Sequence, residues 1–284
     1  MSKWTLVIDV ARCEGCNNCL LACKDEHVGN AWPNYTEPQQ LHGDHWIWVP
    51  KRERGEYPLI DVAYRPTPCM HCDTPACSQP VPGAIVKRAD GIVLIDQAKA
   101  KGRKELVDAC PYGAIQWNAE LQVPQKCTLC AHLLDDGWTA PRCVQSCPTG
   151  ALKIVKGGDA DAARTAGPGQ LEVLHPEYNT RPTVRYANMY RYAKCFVAGS
   201  IAKQIDGVDD CLVGASVKLC KDDVEVAAAT TDEFGDFRFD RLDLGAAGLS
   251  LAIAAAGFKD RRLQLDDIKD SVNVGTILLE RVSG

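Results

Sequence analysis

Hydrophobic and polar positions along this chain alternate over short distances. Residues 4–9 (Trp-Thr-Leu-Val-Ile-Asp) form an apolar run of strand length that leads into a loop. Residues 91–96 (Gly-Ile-Val-Leu-Ile-Asp) read the same way, and residues 151–155 are a third strand candidate. Residues 97–109, rich in Ala, Lys, Leu and Glu, predict a short helix. Residues 156–170 hold Gly157-Gly158 and Gly167-Pro168-Gly169 and predict a loop or linker. Residues 171–195, with Tyr178, Tyr186, Tyr190 and Tyr192, are expected to pack back onto the preceding part. Beyond Val197 the pattern becomes β-rich, with runs at 215–220, 224–230, 236–239, 249–254, 261–265 and 272–279. Turn signals at Lys221-Asp222-Asp223 and Glu233-Phe234-Gly235 separate them, which predicts a small β-sandwich or barrel.

Charge and cysteine content both change near residue 195. Residues 196–284 carry 10 Lys and Arg against 16 Asp and Glu, whereas residues 1–195 carry 22 against 21. Twelve of the fifteen cysteines lie between Cys13 and Cys147. Two domains are therefore expected, 1–195 and 196–284, the first with an insertion at about 27–64 and the linker at about 156–170. A net charge of −5 leaves no basic surplus for nucleic acid. The opening residues resemble no signal peptide, and the longest apolar run, near 249–258, is far too short for a bilayer span. The expectation is a cytoplasmic protein with reduced thiols, where clustered cysteines bind metal.

The cysteines fall into four groups. Cys13, Cys16, Cys19 and Cys23 have the C-x2-C-x2-C-x3-C spacing of bacterial ferredoxins, with Lys24 in place of the usual proline. Cys69, Cys72 and Cys77 form the second group, Cys110 the third, and Cys127, Cys130, Cys143 and Cys147 the fourth. Structural zinc sites draw two C-x2-C knuckles from separate loops, so iron–sulfur clusters are the better reading of this spacing. In ferredoxins the last cysteine of one group serves the cluster of its partner group. Applied here, that rule gives three 4Fe–4S clusters. Cys13, Cys16, Cys19 and Cys147 hold the first. Cys127, Cys130, Cys143 and Cys23 hold the second. Cys69, Cys72, Cys77 and Cys110 hold the third.

A weak repeat supports the pairing. Cys110 opens Cys-Pro-Tyr-Gly-Ala-Ile, Cys147 opens Cys-Pro-Thr-Gly-Ala-Leu, and Val81 opens Val-Pro-Gly-Ala-Ile without the cysteine. A fourth cluster would use positions 81, 100, 103 and 106, occupied by Val81, Ala100, Arg103 and Leu106. All four ligands of that one cluster are absent, and every other set is complete. Cys195, Cys211 and Cys220 have no partner spacing and are read as ordinary thiols.

Other residues carry less. His71, between Cys69 and Cys72, either hydrogen-bonds a cluster sulfur or is a polar loop residue near solvent. His42 and His45, beside Trp46 and Trp48, fit aromatic packing in an interface loop better than a metal site. Lys51-Arg52-Glu53-Arg54 reads as a solvated face. No nucleotide loop or nucleophile elbow is present, so no catalytic residue is expected in this chain.

The four-group layout resembles the iron–sulfur subunits of molybdopterin oxidoreductases of the dimethyl sulfoxide reductase family. Within it, the likeness is to small subunits of the pyrogallol–phloroglucinol transhydroxylase type. It is carried by the opening Val-Ile-Asp-Val-Ala-Arg-Cys, by residues 65–72 (Arg-Pro-Thr-Pro-Cys-Met-His-Cys), by residues 90–96, and by residues 126–136 (Lys-Cys-Thr-Leu-Cys-Ala-His-Leu-Leu-Asp-Asp). Residues 231–237 (Thr-Asp-Glu-Phe-Gly-Asp-Phe), after Gly214-Ala215, resemble transthyretin-like β-sandwiches. The resemblance implies an α+β fold: a tandem bacterial-ferredoxin-like cluster domain followed by an all-β transthyretin-like sandwich. It also implies a large catalytic partner subunit in which two molybdopterin guanine dinucleotides hold molybdenum, or tungsten in its place. That partner would act on phenolic aromatics, in anaerobic aromatic degradation, as a hydroxylase or a transhydroxylase. By the same likeness the first cluster lies nearest that cofactor, and residues 27–64, with Trp32, Trp46 and Trp48, supply contact to the partner or pack in the core. A competing reading is a scaffold whose clusters hold fold and partner together without electron transfer in turnover. A free-standing ferredoxin leaves the β-domain without a use; assembly or shielding is its expected role.

Overall fold

The computed structural model describes residues 2–265 and 267–282. The chain divides into two compact units, residues 1–51 with 63–189, and residues 52–62 with 190–284. All twelve grouped cysteines belong to the first unit.

The first unit is built on the strand Lys3–Asp9, whose Leu6, Val7 and Ile8 are almost wholly buried. A strand apolar on both faces belongs inside a sheet, and this one is flanked on both edges. Leu152–Gly157 pairs with it antiparallel and Val184–Ala187 pairs with it parallel. The short strand Leu171–Glu172 completes the sheet beyond Val184–Ala187. The remainder consists of cysteine loops, the helix Asn18–His27, and small hairpins such as Ile85–Lys87 with Val93–Ile95 and Gln116–Asn118 with Val123–Gln125.

Two sequence expectations are corrected in this unit. Residues 97–109 form two short helices, Gln97–Ala100 and Glu105–Asp108, because Lys101 is extended and Gly102 takes φ +74°. The Gly102 N–H leaves the helical path to reach the Gln122 carbonyl at 2.8 Å. Residues 156–170 are no plain linker, since Asp159–Ala166 is a helix. Its glycines bracket the helix: the Gly158 N–H donates to Asp161 Oδ2 at 2.9 Å, acidic residues fill the first turn, and Ala162 is fully buried.

The second unit holds two four-stranded sheets. One joins Cys195–Ile205 to Val208–Cys211, Asp236–Leu242 and Val272–Leu279; the other runs Val224–Thr230, Ser216–Lys221, Leu249–Ala254, Arg261–Gln264. They share one apolar core. Val217 pairs with Ile253 and Leu219 with Leu251 on one sheet, facing Val197, Ile201, Phe237 and Ile277 of the other. The first two strands, Cys195–Ile205 and Val208–Cys211, are absent from the sequence reading. The first is buried nearly continuously from Cys195 to Ala202, so it shows no alternation to read.

The 231–237 motif has a local cause. Thr231 Oγ1 donates to the Leu212 carbonyl at 2.6 Å and accepts from the Ala215 N–H at 2.9 Å. Asp232 Oδ1 accepts from the N–H groups of Phe234 and Asp236, both at 2.9 Å. Gly235 takes φ +78°, and a Cβ there would stand 2.5 Å from the Ile201 carbonyl oxygen.

Residues Arg52–Val62 form the tip of a hairpin and cluster with the second unit, although they lie within the insertion that the sequence reading assigns to the first domain. Arg54 there is not a solvated residue. Its buried guanidinium bonds Asp61 Oδ2 at 2.6 Å and Asp240 Oδ1 at 3.0 Å.

Candidate metal centres

The loop after each leading cysteine obeys one rule. The residue two positions on enters left-handed backbone and turns its N–H back onto the sulfur. Gly15 does so for Cys13, His71 for Cys69 at 3.4 Å, and Leu129 for Cys127 at 3.3 Å. The φ values are 70°, 43° and 55°. Glycine adopts this shape freely, whereas histidine and leucine adopt it at a cost, and such strain concentrates at functional sites. Further N–H groups point at sulfur: Ala114 to Cys110 at 3.4 Å, and Arg142 to Cys130. These bonds favour the thiolate form.

Distant segments bring the thiols together in sets. Cys23, Cys127, Cys130 and Cys143 line one small cavity. Cys69, Cys72, Cys77 and Cys110 line another. Cys13, Cys16, Cys19 and Cys147 also gather, close enough that charge on Cys16 and Cys147 disfavours ionisation of Cys13 and Cys19. This last set is the most open, with Cys16 exposed. The sets adjoin in series. Cys19 acts on Cys23 and Cys143, and the Cys69 N–H donates to the Cys127 sulfur.

The residues present fit iron–sulfur clusters. A four-iron cube offers one iron to each cysteine, so its ligands surround a volume instead of meeting at a point. Among the described residues, no three His, Cys, Asp or Glu side chains gather tightly enough to hold a single ion. Burial, with repulsion between neighbouring sulfurs, pushes the Cys19 and Cys77 thiols up to about 12. Burial raises Cys130 to about 12 and Cys127 to about 11. Thiols held this high stay protonated until a metal replaces the proton.

The position of the missing fourth set is filled with hydrocarbon. Val81, Ala100 and Leu106 pack into one apolar core with Cys77 and Cys110 at its edge, while Arg103 turns to solvent and bonds Glu105. Cys195 and Cys220 are buried and Cys211 is exposed, and all three belong to the second unit.

Several neighbours of the thiols were only partly legible. His71 is fully buried, which removes the solvent-facing alternative; its Nδ1 accepts from the Val93 N–H at 3.0 Å, so its Nε2 carries the proton, and that atom has no partner. His42 and His45 are exposed. Trp46 is buried against His27, ring centroids 4.6 Å apart, and packs beside Cys69 and Cys127. Trp32 stacks on His132 at 4.0 Å, and Trp48 is exposed. The sequence reading passed over His27, whose Nε2 lies 4.0 Å from the Cys130 sulfur. Burial and the nearby His132 press its pKa down to about 3, so it is neutral. Lys126, quoted in the sequence reading only as part of the 126–136 motif, is a buried lysine next to Cys127. Its placement against a ligand position was the available signal.

Comparison with known proteins agrees with this geometry. Residues 60–157 match a family model described as a 4Fe-4S dicluster domain. The chain is 45% identical to the pyrogallol hydroxytransferase small subunit of Pelobacter acidigallici, over 98% of this chain and all of that one. It is 34% identical to a subunit of the sulfite dehydrogenase of Allochromatium vinosum, over 66% of this chain and 83% of the relative. It is 32% identical to a chain of the anaerobic dimethyl sulfoxide reductase of Escherichia coli, over 64% and 93%. One solved structure, a Streptococcal ancillary pilin, is 17% identical over 46% of this chain and 40% of its own, with a TM-score of 0.26, too slight to inform the fold. The chain thus belongs to the family of iron–sulfur subunits of dimethyl sulfoxide reductase-type molybdopterin oxidoreductases. It is a 4Fe–4S electron-transfer subunit of an oxidoreductase. No helix among the described residues is long and apolar enough to cross a membrane.

Proposed function

We propose that this chain holds three 4Fe–4S clusters, ligated as the three cysteine sets above, and relays electrons for a large catalytic subunit acting on phenolic aromatics. One observation carries the cluster count: each set of four thiols is drawn from two separated segments, and each crossing matches the ferredoxin rule. The apolar packing of Val81, Ala100 and Leu106 supports three centres over four.

The phenolic substrate and the molybdenum bis-molybdopterin guanine dinucleotide cofactor of the partner rest on the likeness to the pyrogallol hydroxytransferase small subunit. That likeness favours a transhydroxylase; a resorcinol-type hydroxylase remains the second member of the same class. The C-terminal sheets are proposed as a transthyretin-like sandwich that serves assembly. A reducing compartment such as the cytoplasm suits a chain with this many unpaired thiols.

The scaffold reading loses its main support. That reading draws weight from the missing fourth centre if its absence leaves a gap in an electron path. The apolar lobe borders only Cys77 and Cys110, at the end of the series, and separates no two sets.

Anaerobic purification tests the proposal. The chain is expected to bring a large molybdenum-containing subunit and to hold roughly twelve iron atoms, four per cluster. Adding a phenolic substrate to the complex is expected to change the redox state of the clusters. Zinc in place of iron, or about eight iron atoms, would sink it.

A further inference from the structure

We infer that Lys126 is the residue that raises the reduction potential of the third centre and makes it the resting place of electrons in this chain. This rests on the cluster assignment proposed above. Lys126 is 3% exposed. Its ammonium donates to two carbonyls, those of Val93 and, at 3.1 Å, Cys127. No carboxylate pairs with it among the described residues. It lines the third cavity, and its charge acts on the sulfurs of Cys77 and Cys110 as well as that of Cys127.

A buried cation beside a cluster stabilises the reduced, more negative state more than the oxidised one. The transfer is a single step. With the clusters bound, one electron would pass from the reduced second centre to the oxidised third, with no bond made or broken.

The basic side chains near the other centres are less buried or are paired with carboxylates. Lys24 faces Cys23 of the second set, but it is only half-buried and the Asp44 carboxylate acts on it. Near the first, Glu14 faces Cys13 and opposes added negative charge. Near the second, Arg142 is countered by Glu26, 3.2 Å away. Lys87 also faces Cys72, but Asp73 neutralises it at 3.0 Å. Among the described residues, Lys126 is the most deeply buried of the basic side chains that act on these thiols. Burying an unpaired ammonium is costly unless an anion forms nearby, and a cluster ligated by four thiolates supplies that anion.

The test is an anaerobic redox titration of the complete complex followed by electron paramagnetic resonance. Cys72→Ser identifies the third centre by altering its signal. In the unaltered protein the third centre is expected to be the first of the three reduced. Lys126→Met is expected to lower its midpoint potential most, with iron content unchanged, and Lys126→Arg to restore it. Unchanged potentials in Lys126→Met at full iron, or a fall confined to the second centre, would overturn the inference. Should Lys126→Met lose iron, the order in the unaltered protein decides, and a third centre reduced last overturns it. Iron far below roughly twelve atoms in the unaltered protein would instead overturn the cluster assignment itself.

Discussion

Cys110 and Cys69 face each other across a single cavity, close enough that charge on Cys69 raises the pKa of Cys110. Burial is the larger cause of that rise. No local element connects the two residues. The cavity exists because the hairpin Ile85–Lys87 with Val93–Ile95, and the two short helices after it, carry the chain back to its own earlier loop. The same return occurs between Cys147 and the first group.

Replacing Cys110 therefore tests the set as a unit. Cys110→Ser is expected to remove about four of roughly twelve iron atoms and to abolish one electron paramagnetic resonance signal, leaving two. Changing Cys195, Cys211 and Cys220 together to serine is expected to leave iron content unchanged. Iron loss in that triple variant would show that the set assignments are wrong.

Leu106 fills the place where a fourth set of ligands is absent, and it is fully buried with Ala100 beneath the third cavity. Leu106→Ala is expected to cost about 3 kcal/mol through lost burial and the cavity left behind. The third centre should then bleach faster in air than the first, which shares no contact with this lobe. A variant with unchanged thermal stability would mean that the lobe is not packed as described.

Gly15 shows how little room the first loop has. Its φ is +70°, and a Cβ would stand 2.5 Å from the Tyr64 ring. Gly15→Ala must strain the backbone and displace an aromatic ring, and it misaims the N–H that Cys13 accepts. The expected result is selective weakening of the first centre, seen as loss of its signal while the other two persist. Equal loss of all three signals would point to general misfolding instead.

The gathering of distant cysteines around common cavities was legible, because the ferredoxin spacing rule pairs the same thiols; their ligation of clusters is the proposal made above. The shape of the loops was not legible. Nothing in the letters Cys-Met-His-Cys reveals that His71 takes φ 43° and turns inward. The strand Cys195–Ile205 was missed because burial on both faces erases alternation, while Val224–Thr230, exposed along one face, was found within its bounds. Arg54 was misread for a different reason. Its carboxylate partners include Asp240, brought to it only by the fold of the second unit.

That arginine gives a prediction for pH. Burial pushes the Asp61 carboxyl up from its ordinary value of 3.8, but hydrogen bonds from Arg191 and Arg54 outweigh it and the net shift is down. Asp240 behaves alike, burial opposed by Arg54 and the Arg241 N–H, again with a net fall. Carboxyls with depressed folded pKa values stabilise the fold above their unfolded values and lose that contribution as pH falls through the folded ones. The second unit is thus expected to keep its stability at neutral pH and to lose it progressively below about pH 4. Arg54→Met leaves Asp61 and Asp240 without their buried partner and is expected to cost about 3 kcal/mol at pH 7. It should also flatten the acid dependence, since less charge pairing remains to be lost. Thermal melts of both proteins between pH 3 and pH 7 (bounds of about one unit either side of the carboxyl range) measure it. Parallel melting curves at every pH would show that the Arg54 pairs contribute nothing to the acid response.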